Sequence, residues 1–128
     1  MQTTMRRRWV LSDRGAAALE FAILLPVLLL LIYGFIEGSR VYQARMAMSY
    51  AAREGARVLA VGNHDTAAAT TAAVNRAWPL QPGRLTVSPS VDLAADQVSM
   101  TVRYAYQPII LVDMTWVIPP VTVTMRAE

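Results

Sequence analysis

Residues 16–36 read Ala16-Ala-Ala-Leu-Glu20-Phe-Ala-Ile-Leu-Leu-Pro26-Val-Leu-Leu-Leu-Leu-Ile-Tyr-Gly-Phe-Ile36, and apart from Glu20 every position is apolar, small, proline or tyrosine. A helix of that length rises about 31 Å, the thickness of a bilayer's hydrocarbon core, so the run predicts a single membrane span. A cleaved secretory signal would carry a shorter apolar region ending at a small-residue exit site, whereas this run continues into Glu37 and Gly38. Arg7-Arg8 suggests a twin-arginine signal, but Ser12, Asp13 and Arg14 separate it from the apolar run, which is long and very hydrophobic.

Working outward, four arginines (Arg6, Arg7, Arg8, Arg14) precede the span and four (Arg40, Arg45, Arg53, Arg57) follow it, so a bare count of flanking cations is a tie. The first group is denser and closer to the apolar run, and Glu37 and Glu54 partly offset the second. That favours an N-terminus in the cytoplasm and the C-terminal part outside. The chain has 128 residues, a net charge of +3 and no lysine or cysteine. Its positive charge flanks an apolar run instead of being interleaved with stacking aromatics, which argues against nucleic-acid binding. The missing cysteines exclude a disulfide framework and a thiolate metal site.

Beyond the span, Val41, Ala44, Met48, Ala51, Gly55, Val58 and Leu59 recur at three- to four-residue spacing, with no breaker before Gly62-Asn63. The helix is expected to continue to about Val61, roughly 68 Å from Ala16 at the helical rise, and to need packing partners. A second helix is expected from Thr66 to Trp78, and Pro79, Pro82 and Gly83 mark a turn. The period then changes to two: Leu85 and Val87 alternate with Thr86 and Ser88, Val98 to Tyr106 alternate with Ser99, Thr101 and Arg103, and Val121, Val123 and Met125 alternate with Thr122, Thr124 and Arg126. Three strands joined without long helical crossovers should be antiparallel. The apolar stretches Ile109–Val112 and Trp116–Ile118, bounded by Pro108 and Pro119-Pro120, read as an additional edge strand or as an exposed loop facing a partner or the membrane. The expected fold is therefore α+β: a long N-terminal transmembrane helix continuing into a small head with a second short helix and a three- to four-stranded antiparallel sheet. The divisions are 1–15, a cytoplasmic leader; 16–37, the transmembrane helix; 38–61, its extramembrane continuation; and 62–128, the head.

Catalytic parts are scarce. His64 is the only histidine, so familiar zinc sites and Ser-His or Cys-His nucleophile systems would lack members, and its setting in Gly62-Asn63-His64-Asp65 reads as a solvated loop. Asp92 and Asp96 flank an inter-strand connection but supply too few oxygens for calcium. The phosphate-binding and serine-hydrolase glycine motifs are missing. The expectation is a protein that is not an enzyme, with no cofactor, metal or small-molecule substrate. Glu20 is the residue that asks for an explanation, because a carboxylate facing hydrocarbon costs about 2.5–3.5 kcal/mol on insertion scales. Residence near the interface, where the helix dipole favours a negative group, is one answer.

Gly15 followed by four residues, Glu20 and Phe21, with Pro26 inside the apolar run, resembles the N-terminus of the TadE-like pseudopilins, a distant branch of the type IV pilin group. Gly34, Glu37, Gly38 and Arg40, the segment Ala51-Ala52-Arg53-Glu54-Gly55-Ala56-Arg57, and the β-rich end also resemble that family. The resemblance implies a minor pseudopilin of Flp/Tad pilus biogenesis, in tight adherence or secretion. Its partners would be the membrane, a prepilin peptidase, other pilins or pseudopilins and Tad inner-membrane assembly proteins. It would sit in a bacterial inner membrane or enter a pilus. The peptidase would cut after Gly15 and free Ala16, with Gly15, Ala16, Glu20 and Phe21 as processing residues. Ala16 departs from the phenylalanine that follows the cut in major type IV pilins, and the chain is longer than a major Flp pilin. Helix packing would use Glu20, Pro26, Gly34 and Gly38, followed by the small-residue ridge Ala47, Ala51 and Gly55, which permits close approach of a partner helix or of the protein's own sheet. The alternative is an uncleaved, signal-anchored periplasmic adaptor or sensor.

Overall fold

Helix α1 runs without interruption over Asp13–Val61 in the computed structural model, which describes residues 13–109 and 115–127. The first twelve residues of the expected leader, and residues 110–114, which take in most of the apolar stretch Ile109–Val112, lie outside the described residues. The chain divides into two units at Ile36/Glu37.

In the first unit, residues 15–36 are exposed except for half-buried Tyr33. Thirteen large apolar side chains between Leu19 and Ile36 are open to the surroundings. At about 1.5 kcal/mol for each such side chain, keeping them in water would cost on the order of 20 kcal/mol, more than a small domain's entire stability. Among the described residues, one helix is long and apolar enough to cross a membrane, and its most apolar window is entirely unburied, unlike the core helix of a soluble protein.

The second unit is a helix-backed sheet. Helix α1 stops where Gly62 donates to the Val58 carbonyl at 2.7 Å and Asn63 and His64 adopt left-handed φ of 54° and 62°. A Cβ on Gly62 would lie 2.5 Å from that carbonyl, so only glycine fits there. Asp65 caps helix α2 (Thr66–Arg76), its Oδ1 accepting from the Ala67 and Ala68 amides at 2.9 and 3.0 Å. Helix α2 ends at Arg76, two residues short of the expected Trp78, because its last turn is closed by the Ala77 amide on the Val74 carbonyl. A one-turn 3₁₀ helix over Pro82–Arg84 leads into the sheet.

Strands β1 (Leu85–Asp92), β2 (Gln97–Tyr106) and β3 (Trp116–Arg126) form an antiparallel sheet in the order β1-β2-β3. Leu85 faces Tyr104 across β1/β2, and Val102 faces Val121 across β2/β3. The expected alternation holds: Val98, Met100, Val102, Tyr104 and Tyr106 are all buried on one face. One sequence expectation needs correcting. Trp116–Ile118 forms no separate edge strand but is the first part of β3, and the register shifts between Val102 and Tyr104, where Pro119-Pro120 lies opposite Arg103. Two prolines fit because β3 is an edge strand and the shift is a bulge, so the missing N–H groups break few ladder bonds.

The core joins the two helices to the sheet through small side chains. Ala44, Met48, Ala51, Ala52, Ala56, Leu59 and Ala60 of α1 and Ala69 and Ala73 of α2 pack with the inward face of β2 and Ile118 of β3. Alanine lets the helices lie close to the sheet, and Met48, Leu59 and Met100 fill the space between.

Candidate functional site

Two sets of residues suggest function: the exposed first half of α1 and the end of the head nearest its own first residue, Glu37. Gly15, Ala16, Glu20 and Phe21 lie together in the exposed opening turns of α1, with open space around the Gly15 Cα. Pro26 sits inside the helix, where it withholds one backbone hydrogen bond. Gly34 and Gly38 are exposed, and a Cβ on either would meet nothing within 4 Å.

The small-residue ridge behaves differently. Ala47, Ala51 and Gly55 are buried in the head. A Cβ on Gly55 would stand 2.7 Å from Met100 Cε and 3.0 Å from Ala73 Cβ, so this stretch is occupied by the protein's own sheet and second helix.

Glu37 is the buried charged residue among those described, 7 % exposed. Its carboxylate accepts hydrogen bonds from the Tyr106 hydroxyl and from the Ile109 amide, the latter at 3.4 Å. Arg40, one helical turn on, brings its guanidinium to 3.6 Å from the same carboxylate and 5.6 Å from the Tyr106 ring centre. A buried carboxylate is tolerable only with partners of this kind. The cluster ties the end of β2 and the start of the following segment to α1. Its signal in sequence was a carboxylate directly after an apolar run with an arginine three residues later, but nothing local indicates that Tyr106, sixty-nine positions away, would complete it.

Beside this cluster lies an apolar groove of about 350 Å³, lined by Tyr42, Met46, Ala47 and Tyr50 of α1 and by Trp78 and Pro79. Arg76 stacks over Tyr50 at 5.7 Å. Sequence reading missed the groove because Trp78 reaches it only through the turn after α2.

The remaining polar candidates have structural roles. Asp92 accepts from the Ala94 and Ala95 amides at 3.0 and 3.1 Å, and Asp96, at φ 53°, accepts from Arg126 Nε at 3.2 Å, so both are used in closing the β1–β2 connection. His64 lies in the expected loop and is half-buried, with its Nε2 shielded from solvent and without a hydrogen-bond partner among the described residues. The described residues contain no group of three or more His, Cys, Asp or Glu able to hold a metal ion. Glu54 and Arg57 form a two-point ion pair on the outside of α1, with Nη2 to Oε1 at 2.6 Å and Nε to Oε2 at 3.0 Å. The hydrogen bond from Arg57, with its charge, holds the Glu54 carboxyl below its ordinary value, and the same contact raises Arg57.

No curated protein and no solved structure matches the chain significantly. Residues 15–57, from Gly15 through the apolar span to Arg57, match the family model described as TadE-like protein, which identifies this segment as TadE-like.

Proposed function

We propose that this chain is a TadE-like minor pseudopilin, cut by a prepilin peptidase after Gly15 and working in Flp/Tad pilus biogenesis, adhesion or secretion by helix–helix assembly and not by catalysis. The carrying observation is that the TadE-like match, residues 15–57, covers a helix whose exposed apolar surface contains one carboxylate, Glu20. A lone carboxylate in lipid is costly, and the ammonium freed at Ala16 of a neighbouring subunit would offset that cost and set the register between subunits. Gly15 has the open surroundings a protease cleft requires. With Ala47, Ala51 and Gly55 occupied inside the head, Gly34 and Gly38 are the expected packing glycines that stay open on α1 for a partner helix. In this reading the N-terminus is cytoplasmic, the head lies outside the inner membrane, and the partners are other pilins or pseudopilins and Tad assembly proteins.

Intact mass and N-terminal sequencing of the protein from its host's membranes, with and without the prepilin peptidase, test the reading. Peptidase-dependent loss of residues 1–15, roughly 1.9 kDa by summed residue masses, is the expected result. Retention of the leader in both strains would leave a signal-anchored protein instead.

A further inference from the structure

We infer that the Tyr42–Trp78 corner of the head is a lipid-interface anchor, which seats the head on the bilayer surface. The inference rests on the membrane-spanning reading of α1.

The first step is a length. The apolar run Ala16–Ile36 rises about 31 Å, which fills a hydrocarbon core of about 30 Å with Glu20 inside it. The outer boundary of that core therefore falls at about Glu37, the first residue of the head. Chain connectivity alone brings the start of the head to the lipid.

The second step is chemistry. Glu37, which this length places at the hydrocarbon edge, is 7 % exposed and bonded to Tyr106 and Ile109, so its charge is hidden. Arg40 is partly exposed while its guanidinium stays beside Glu37 and the Tyr106 ring, which puts a cation at the surface of this end. Tyr42 follows five residues after Glu37, about 7.5 Å of rise. Trp78 is 83 % exposed, Tyr42 66 % and Ile109 50 %. The corner that carries Trp78 belongs to this end of the head, because Pro79 and Leu80 line a second hollow with Arg40, Ala44, Tyr104 and Tyr106. Exposed Trp and Tyr beside an apolar residue and an arginine are what the headgroup region favours, since each ring offers an apolar body and a polar tip. The other end of β2, nine residues along at about 3.4 Å each, instead carries Asp92, Asp96 and Arg126.

The test uses the full chain with Trp78 as its sole tryptophan (Trp9→Phe and Trp116→Phe, or Trp116→Tyr if helix content falls). It is reconstituted in phosphatidylcholine vesicles with bromine at shallow or deep acyl positions. Trp78 fluorescence should fall about twofold with shallow bromines and less with deep ones, as for an interfacial ring. Two further single-tryptophan reporters replace Trp78 by Phe. Leu29→Trp, within the span, should be quenched most by deep bromines, and Leu93→Trp, at the far end of the head, should not be quenched. If Leu29→Trp is quenched and Trp78 is not, the anchor is refuted while the span stands; if neither is quenched, the spanning reading fails and takes the anchor with it. Equal quenching at Leu93→Trp and Trp78 would mean non-specific adhesion and overturn the proposal. So would Trp78 shielding that depends on the protein-to-lipid ratio and not on bromine, since a second copy would then fill the groove.

Discussion

Helix α1 is one continuous element with two different surroundings. From Leu19 to Ile36 its large apolar side chains point out on every side, while from Ala44 to Ala60 the apolar positions are buried and Arg45, Arg53 and Arg57 face outward. The first stretch has no polar face and the second has a helical period, so one half of the helix has the length and composition of a membrane-crossing segment and the other packs into a protein core. The size of the side chains differs too. Leucine dominates the first half, where nothing limits its reach, and alanine and glycine dominate the buried face of the second, where sheet and second helix leave little room.

This contrast is best broken by paired substitutions in full-length protein held in detergent, with chemical unfolding of the head as the readout. The largest difference is expected for leucine. Leu59→Ala empties a fully buried position and should cost the head about 2–5 kcal/mol, whereas Leu29→Ala, which is 56 % exposed, should leave its midpoint unchanged. Equal losses would mean that the first half of α1 also packs into a protein core. Glycine comes next: Gly55→Val overfills the space against Met100 and Ala73 and should cost about 1–3 kcal/mol, while Gly38→Val meets open space and should not lower stability through a clash. At the junction of the two halves, Glu37→Ala removes the carboxylate that accepts from the Tyr106 hydroxyl and the Ile109 amide and should destabilise the head by about 1–3 kcal/mol. The loss from Glu37→Ala and Tyr106→Phe together should be smaller than the sum of the two single losses, because the bond between them is counted in both.

The smallest effect is a pH dependence. Because Arg57 holds the Glu54 carboxyl below its ordinary value, the pair's stabilisation is fully present above the unfolded-state pKa and is lost as pH falls through the lowered folded value. Wild type minus Glu54→Gln stability should be flat at neutral pH and decline only on the acid side. Solvent and salt screen this exposed pair, so the decline should shrink as ionic strength rises.

The span, the three strands and their antiparallel pairing were legible because each depends on a local pattern: an unbroken apolar run, or period-two alternation between turn residues. Gly15, Glu20 and Phe21 carry the family resemblance, and the matched segment 15–57 includes them. The join of Trp116–Ile118 to β3 was not legible, since Pro119-Pro120 reads locally as a break, and only the bulge opposite Arg103 and the edge position of β3 let the strand pass through.

The sequence by itself determined which run is long and apolar enough to cross a membrane, where the chain forms helix and strand, and which face of each element is apolar, because those follow from the order of side chains along a regular backbone. Tertiary structure alone decided which small residues were already occupied and which stayed free. Gly55 and Gly38 look alike in sequence, but one is pressed against Met100 and the other meets nothing. The third dimension also brought Tyr106 and Ile109 to Glu37, and Trp78 to Tyr42, pairing residues far apart in the chain that no local period can connect.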